Sequence, residues 1–182
     1  MNEVVMQVET ERLTLRLFRE SDLDAYAEMC ADPEVMRYIA QGRPVTRGEA
    51  WRHMAMVLGH WQLRGFGMWA VEEKSSGELA GRVGCWRPEG WPGLEVSWAL
   101  RRSFWGRGIA SEAARASLRY AFETLNQEKV VHLIEPENIA SIRVAERLGA
   151  YRDGYFNIFD SRVLVYRIDR IARRVSPDMS LG

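Results

Sequence analysis

Cysteine occurs only at positions 30 and 85 in a chain of 182 residues. Two thiols make no disulfide framework and stand at no metal-ligand spacing. Cys30 falls in an expected helix and Cys85 in an expected strand, RVGCW, where free cysteine serves as a small buried apolar residue. Histidine is scarce too, at 53, 60 and 132, with no second ligand at metal spacing, so no metal is expected. Neither sign of charge is in excess: Lys+Arg and Asp+Glu both total 25. The whole chain therefore offers no field that would draw nucleic acid or a membrane surface. No run approaches the ~20 apolar residues of a membrane span, and MNEVVMQVETERL lacks the pattern of a signal peptide. Both absences favour the cytoplasm. The 47% hydrophobic and 27% charged content is that of an ordinary globular protein. The length suits one domain over 1–182, with a core over about 10–170 and a flexible tail over about 173–182.

Periodicity supplies the elements. RLTLRL (12–17) alternates, giving a strand with Leu13, Leu15 and Leu17 on its buried face. Ser21 is the expected N-cap of a helix carrying Leu23, Tyr26, Ala27 and Cys30, which Pro33 breaks or restarts. Gly42 and Pro44 mark a loop. Thr46 with Glu49 forms a capping box for a helix to about Arg64, striped by Met54, Val57, Leu58 and Trp61. GMWAVEE and ELAGRVGCW, joined by KSSG, make a hairpin, and LEVSWAL (94–100) is the next strand. A helix follows over 108–125, then the strand VVHLI (130–134). Asn138 opens another helix with Ile142, Ala145 and Leu148 inward and Gly149 at its C′ position. YRDGYFNIFDSRVLVYRI closes as two antiparallel strands. The order is that of a mixed α/β domain, with strands 94–100 and 130–134 parallel through a right-handed crossover.

The segment SFWGRGIASEAA (103–114) sets Gly106 and Gly108 around Arg107 at the entrance to a helix. A P-loop would need Gly-Lys-Ser/Thr, which is absent, and a dinucleotide fingerprint would need glycine where Ser111 stands. A helix N-terminus needs less: its unpaired N–H groups and dipole favour an anion, and missing Cβ atoms clear the approach. A tight turn that needs glycine for backbone reasons alone remains open beside it. Seven tryptophans are many; Trp69, Trp86 and Trp91 either wall a cleft or pack a core. His53 and His60 share one helical face, read as solvated in preference to an acceptor pocket. His132, in a buried strand, is read as a satisfied core or cleft histidine.

Three ordered motifs carry a resemblance. WALRRSFWGRGIASEA resembles the acyl-CoA-binding motif of the GCN5-related N-acetyltransferases (GNAT), in the RimJ/RimL ribosomal-protein branch, where a Trp-Gly-x-Gly form is characteristic. ENIASIRVAERLGA resembles that branch's Asn-x-x-Ser motif, and TERLTLRLFRESDLDAY with DPEVMRYI its N-terminal signature. Together they span roughly Thr10 to Ile168. The resemblance implies the GNAT fold: a twisted, mostly antiparallel sheet of about seven strands, about four flanking helices, and a central splayed parallel pair. It implies acetyl-CoA as donor and a primary amine as acceptor, a peptide N-terminus or a small molecule, attacked directly.

By the same resemblance, main-chain amides of Trp105, Gly106, Arg107, Gly108, Ile109 and Ala110 bind pyrophosphate. Trp98, Ala99 and Leu100 pair with the pantetheine arm, and Asn138 contacts the cofactor. Glu95 is the candidate base, since an amine attacks only when neutral; with alternation it shares a face with Ser97 and Ala99. A backbone N–H near Trp98 or Ala99 would meet charge on the thioester oxygen. Many superfamily members protonate the thiolate with a Tyr where this chain has Ala145; Ser141 is the substitute in this branch. The absent tyrosine keeps a second reading open, a non-catalytic acyl-CoA-binding or regulatory module. A homodimer is compatible with the resemblance, and the sequence specifies no interface for it.

Overall fold

Strands that alternate apolar residues leave two faces to cover, and helices cover both. The computed structural model describes residues 7–39, 42–158 and 161–170; the tail expected to be flexible lies outside them. Eight strands form one sheet: β1 (Val8–Glu9), β2 (Leu13–Arg16), β3 (Met68–Glu73), β4 (Leu79–Trp86), β5 (Glu95–Leu100), β6 (Lys129–Ile134), β7 (Tyr151–Ile158) and β8 (Ser161–Asp169). Their spatial order is β1-β2-β3-β4-β5-β6-β8-β7. Every neighbouring pair is antiparallel except β5 and β6. The strand beyond the expected seven is the two-residue β1, and the last hairpin inserts β8, not β7, against β6.

The helices are α1 (Leu23–Ala31), α2 (Pro33–Met36), α3 (Arg47–Arg64), α4 (Ile109–Arg119) and α5 (Ile139–Arg147). Pro33 does not end helical structure but restarts it at the first position of α2, with Asp32 capping Glu34 N–H at 3.0 Å. Ser21 is not the cap of α1. A 3-10 turn over Glu20–Asp22 takes its place, and Asp22 turns inward to accept from Arg19 N–H at 2.7 Å and from Arg16 at 2.8 Å. The buried Arg16 demands this: it also pairs with Glu72 at 2.8 Å, so its charge is met twice. Thr46 and Glu49 form the expected capping box on α3, whose Met54, Val57 and Trp61 are buried while Leu58 is exposed. The 108–125 helix departs from α geometry at its end, where Tyr120–Thr124 forms a π turn.

Cross-strand register assigns the faces. Arg82 lies opposite Ala99, Gly84 opposite Ser97 and Trp86 opposite Glu95, so these six share one face. His60 of α3 stacks on Trp86 with ring centres 4.3 Å apart, which sets α1 and α3 on that face. Cys85 points the other way, to the Ser117 carbonyl of α4. Both cysteines are buried and unpaired. Among the described residues no helix is long and apolar enough to cross a membrane.

Candidate active site

The parallel pair opens almost as soon as it forms. Val131 N–H donates to Leu94 C=O at 2.9 Å, and Glu95 opposite Val131 is the sole paired position between β5 and β6. Main-chain direction alternates along β5. Leu94 C=O faces β6, while Arg101 N–H donates to Ala80 C=O across the β4 side. Val96, Trp98 and Leu100 therefore turn their main chain to the opening, and Ala99 turns to β4. His132 Nδ1–H fills Val96 C=O at 2.6 Å, and the Trp105 indole fills Leu100 C=O at 2.9 Å. Of the three residues expected to pair with a pantetheine arm, Trp98 and Leu100 face the gap without a ladder partner, and the Leu100 C=O is already taken by the Trp105 indole.

At the C-terminal end of β5 the chain runs through Phe104, buried, and Trp105, half-exposed, into the glycine loop. Gly106 and Gly108 both have φ in the left-handed region, 72° and 77°. Three other helices are closed by side chains: Asp32 on α2, Thr46 on α3, and Asn138 Oδ1 accepting Ser141 N–H at 3.1 Å on α5. Gly108 caps α4 with no side chain, so the first-turn amides face outward unfilled. Glu112 fixes this turn, accepting from Thr10 at 2.6 Å and from Arg12 N–H at 2.9 Å. Burial raises its carboxyl, but these hydrogen bonds outweigh that and hold it below the usual carboxylate range. The Arg107 side chain pairs with Glu73 and lies over the Phe104 ring, leaving its amide to the loop.

A Cβ on Gly106 would meet no heavy atom within 4 Å. Packing in the free protein does not exclude a side chain there, so the conformation and an incoming ligand are what remain to do so. Asparagine tolerates left-handed backbone. Gly106→Asn is accordingly expected to keep the fold and Tm yet raise KM for acetyl-CoA about tenfold, a loss near that of one hydrogen bond. Steady-state kinetics with acetyl-CoA varied measures it; an unchanged KM would leave only a turn.

Around the opening lies a cavity of about 520 Å³ whose wall includes Tyr26, Arg82, Glu95, His132, Asn138 and Ser141. Glu95 is 6% exposed, and its Oε2 accepts from Trp91 Nε1 at 2.7 Å. Burial raises its carboxyl to about 7, against the lowering effect of the Trp91 indole, Leu133 N–H and the charge of Arg82. Ser141 Oγ accepts from Trp98 Nε1 at 3.2 Å, which leaves its own hydrogen to donate. Burial lowers His132 to about 4. Since a carbonyl only accepts, Nδ1 carries the proton and Nε2 is an unpartnered acceptor.

The helical histidines are not solvated as expected. His60 is buried, donating from Nδ1 to Phe66 C=O at 2.8 Å and accepting Arg87 N–H at Nε2 at 3.2 Å. His53 lines the cavity with its Nδ1 2.5 Å from the Tyr26 hydroxyl, lowered to about 3 by burial and the charge of Arg82. Of the tryptophans, Trp86 and Trp91 wall the cavity, while Trp69 is fully buried between Trp61 and Tyr120. Arg82 was the residue that periodicity did not bring forward; its only signal is a charge inside the otherwise apolar and small run LAGRVGCW.

Comparison with known proteins agrees with this geometry. The family model described as Acetyltransferase (GNAT) domain matches residues 12–151. The chain is 31% identical over 151 residues to the uncharacterized N-acetyltransferase YnaD of Bacillus subtilis, covering 83% of this chain and 86% of that one. It is 32% identical over 165 residues to the FsC-acetyl coenzyme A-N(2)-transacetylase of Aspergillus fumigatus, covering 84% and 68%. The crystal structure of an acetyltransferase from Agrobacterium tumefaciens superposes with a TM-score of 0.80 at 34% identity, over 90% of this chain and 94% of that one. The splayed strands, the uncapped glycine loop and these matches agree, and the chain belongs to the GNAT family as an acetyl-CoA-dependent N-acetyltransferase.

Proposed function

We propose that this enzyme transfers the acetyl group directly to a primary amine held in the cavity under α1 and α3, in the manner of the RimJ/RimL branch. The observation that carries this is Glu95, buried beside the last rung before β5 and β6 part. Acetyl-CoA supplies the activated thioester. Amides of Gly106 to Ala110 bind its pyrophosphate at the uncapped end of α4, the Trp105 N–H being held by Arg102 C=O at 3.1 Å, and the Trp98 main chain aligns the pantetheine in the gap. Asn138 shapes that wall by fixing the first turn of α5. Glu95, directly or through one water, takes a proton from the bound ammonium, and the neutral amine that results attacks the thioester carbonyl. As the C–N bond forms and the C–S bond breaks, the Trp98 N–H meets the charge on the thioester oxygen. Ser141 O–H, oriented by the Trp98 indole, hydrogen-bonds to the departing sulfur, which takes up the second nitrogen proton released as the amide forms. Neither Cys30 nor Cys85 occupies a loop position, which supports direct transfer over a covalent acetyl-enzyme.

The acceptor is read as a peptide α-amine or a small amine. CoA release followed across ribosomal-protein N-terminal peptides and small amines tests the assignment; no amine-dependent release from any of them would sink it. Ser141→Ala is expected to lower kcat about tenfold, the worth of one hydrogen bond to the leaving group. Stopped-flow measurement at saturating acetyl-CoA reads that step.

A further inference from the structure

The cavity wall carries a cation, Arg82, that no carboxylate among the described residues neutralises. Arg82 is 7% exposed. Its guanidinium meets the Met68 sulfur, 2.8 Å from Nη1, and the Tyr26 hydroxyl, neither of which carries charge, and its buried Nε has no partner. Among the described residues no carboxylate lies within 4 Å of it. Arg16, equally buried at 6%, shows what the same fold does when a buried guanidinium is structural: Asp22 and Glu72 both hold it. An arginine stays charged at any working pH, and a charge buried without a counter-ion is strongly unfavourable. A thioether is too weak an acceptor to offset that.

The direction of the side chain is set by register. Arg82 and Glu95 project from one sheet face, with Arg82 four residues from Trp86, the partner of Glu95. That is a displacement of about 13 Å along the strand. The charge of Arg82 acts on Tyr26, Cys30, His53 and Glu95, the groups that ring this part of the cavity. Glu95 is too far for an ion pair, and His53 and His132 are neutral in these surroundings. The inner cavity thus holds a fixed positive charge at one end and a proton acceptor at the other.

Building on the acetyltransfer reading, we infer that the acceptor amine carries an oxyanion, a carboxylate or phosphate a short chain away from its nitrogen, and that Arg82 is the residue that binds it. The planar fork of the guanidinium suits either group by paired hydrogen bonds. Binding supplies the missing counter-charge and points the amine toward Glu95. Selection then works by both ends: a neutral amine leaves Arg82 unmatched, and an acid without an amine has nothing to acetylate.

The test uses the full chain with acetyl-CoA and a graded series of ω-amino acids from glycine upward. A parallel series of aminoalkyl phosphates distinguishes the two anions, and amides and alcohols of matched length are the neutral controls. The expected result is a preference of about 10- to 100-fold in kcat/KM for one anionic series, the range of a charged hydrogen-bond pair. In Arg82→Met that ratio falls toward one, chiefly through the KM of the anionic amine, and Arg82→Lys restores part of it. Equal use of neutral and anionic amines by the native enzyme overturns the inference, as does a preference that survives in Arg82→Met. If no amine is acetylated at all, thermal shifts of the acetyl-CoA-loaded protein decide. Stabilisation by the anionic amines that is lost in Arg82→Met keeps the anion site and sinks the proposed acetyl transfer to an amine in this cavity. No such stabilisation sinks both.

Discussion

Glu95→Gln is expected to lower kcat/KM at pH 7 by about 10²–10⁴, the usual worth of a positioned general base. Gln keeps the length of the side chain, and its carbonyl can still accept from the Trp91 indole that now holds Glu95 Oε2 at 2.7 Å. What it loses is the lone pair that can bind a proton. The pH profile separates this from a packing defect. Burial holds the Glu95 carboxyl at about 7, so the native enzyme gains its active, deprotonated form as pH rises through that value. Its profile in kcat/KM should show an ascending limb near pH 7 that the variant lacks. Acceptor amines titrate higher, at roughly 7.7–8.0 for an α-amine and 10.4 for a lysine. At pH values where the amine is already neutral the base has less to do, and the deficit of the variant should shrink. A deficit that stays constant across pH would remove Glu95 from the role of base.

The fold was legible wherever local chemistry decides local shape. Thr46 with Glu49, Asn138 and Gly149 each sit at a helix end because backbone groups there need a partner or a left-handed turn, and the structure puts all of them there. The reading failed where a distant partner overrides the local one. Ser21 is as good a cap as Asp22 by type, but Arg16, six residues back, claims the carboxylate of Asp22 and rotates the turn. The order β6-β8-β7 follows from which strand of the last hairpin has the more apolar face. Val163, Leu164, Val165 and Tyr166 of β8 are buried beside β6, while β7 is mostly exposed at the edge. Periodicity within either strand does not contain that comparison.

The site divides in the same way. Its loop puts two left-handed glycines before a helix with no side-chain cap, and glycine is the one residue type that advertises main-chain work, so the shape of SFWGRGIASEAA is legible directly. The side-chain half could not. Alternation places Glu95 and Arg82 on faces but does not tell which face will enclose a cavity, because that depends on α1 and α3 folding over β4 from earlier in the chain. For the same reason His53 and His60 looked solvated: a helical wheel shows one shared face, and only the strand beneath it, with Trp86 against His60, makes that face an interior.

The raised carboxyl of Glu95 also has a thermodynamic consequence that the fold must bear. Below pH 4.5 the group is protonated folded and unfolded alike and contributes nothing. Between 4.5 and about 7 the folded protein holds the proton that the unfolded chain releases, so stability falls as pH rises through that window. At 1.36 kcal/mol per pH unit the loss reaches about 3 kcal/mol above pH 7, a large part of the 5–15 kcal/mol typical of a folded domain. Glu95→Gln removes the titration while keeping the shape. The variant is therefore expected to unfold at nearly the native temperature at pH 4.5 but several degrees higher at pH 8, since about 1 kcal/mol moves Tm by roughly 2–4 °C at this size. Urea unfolding at both pH values measures the difference directly. A gain equal at the two pH values would trace to packing instead, and no gain at pH 8 would mean that Glu95 is ionised at little cost in its pocket. The expected pattern sets two consequences of one carboxylate against each other: the burial that would suit it to the proposed proton removal at neutral pH is the burial that destabilises the fold there.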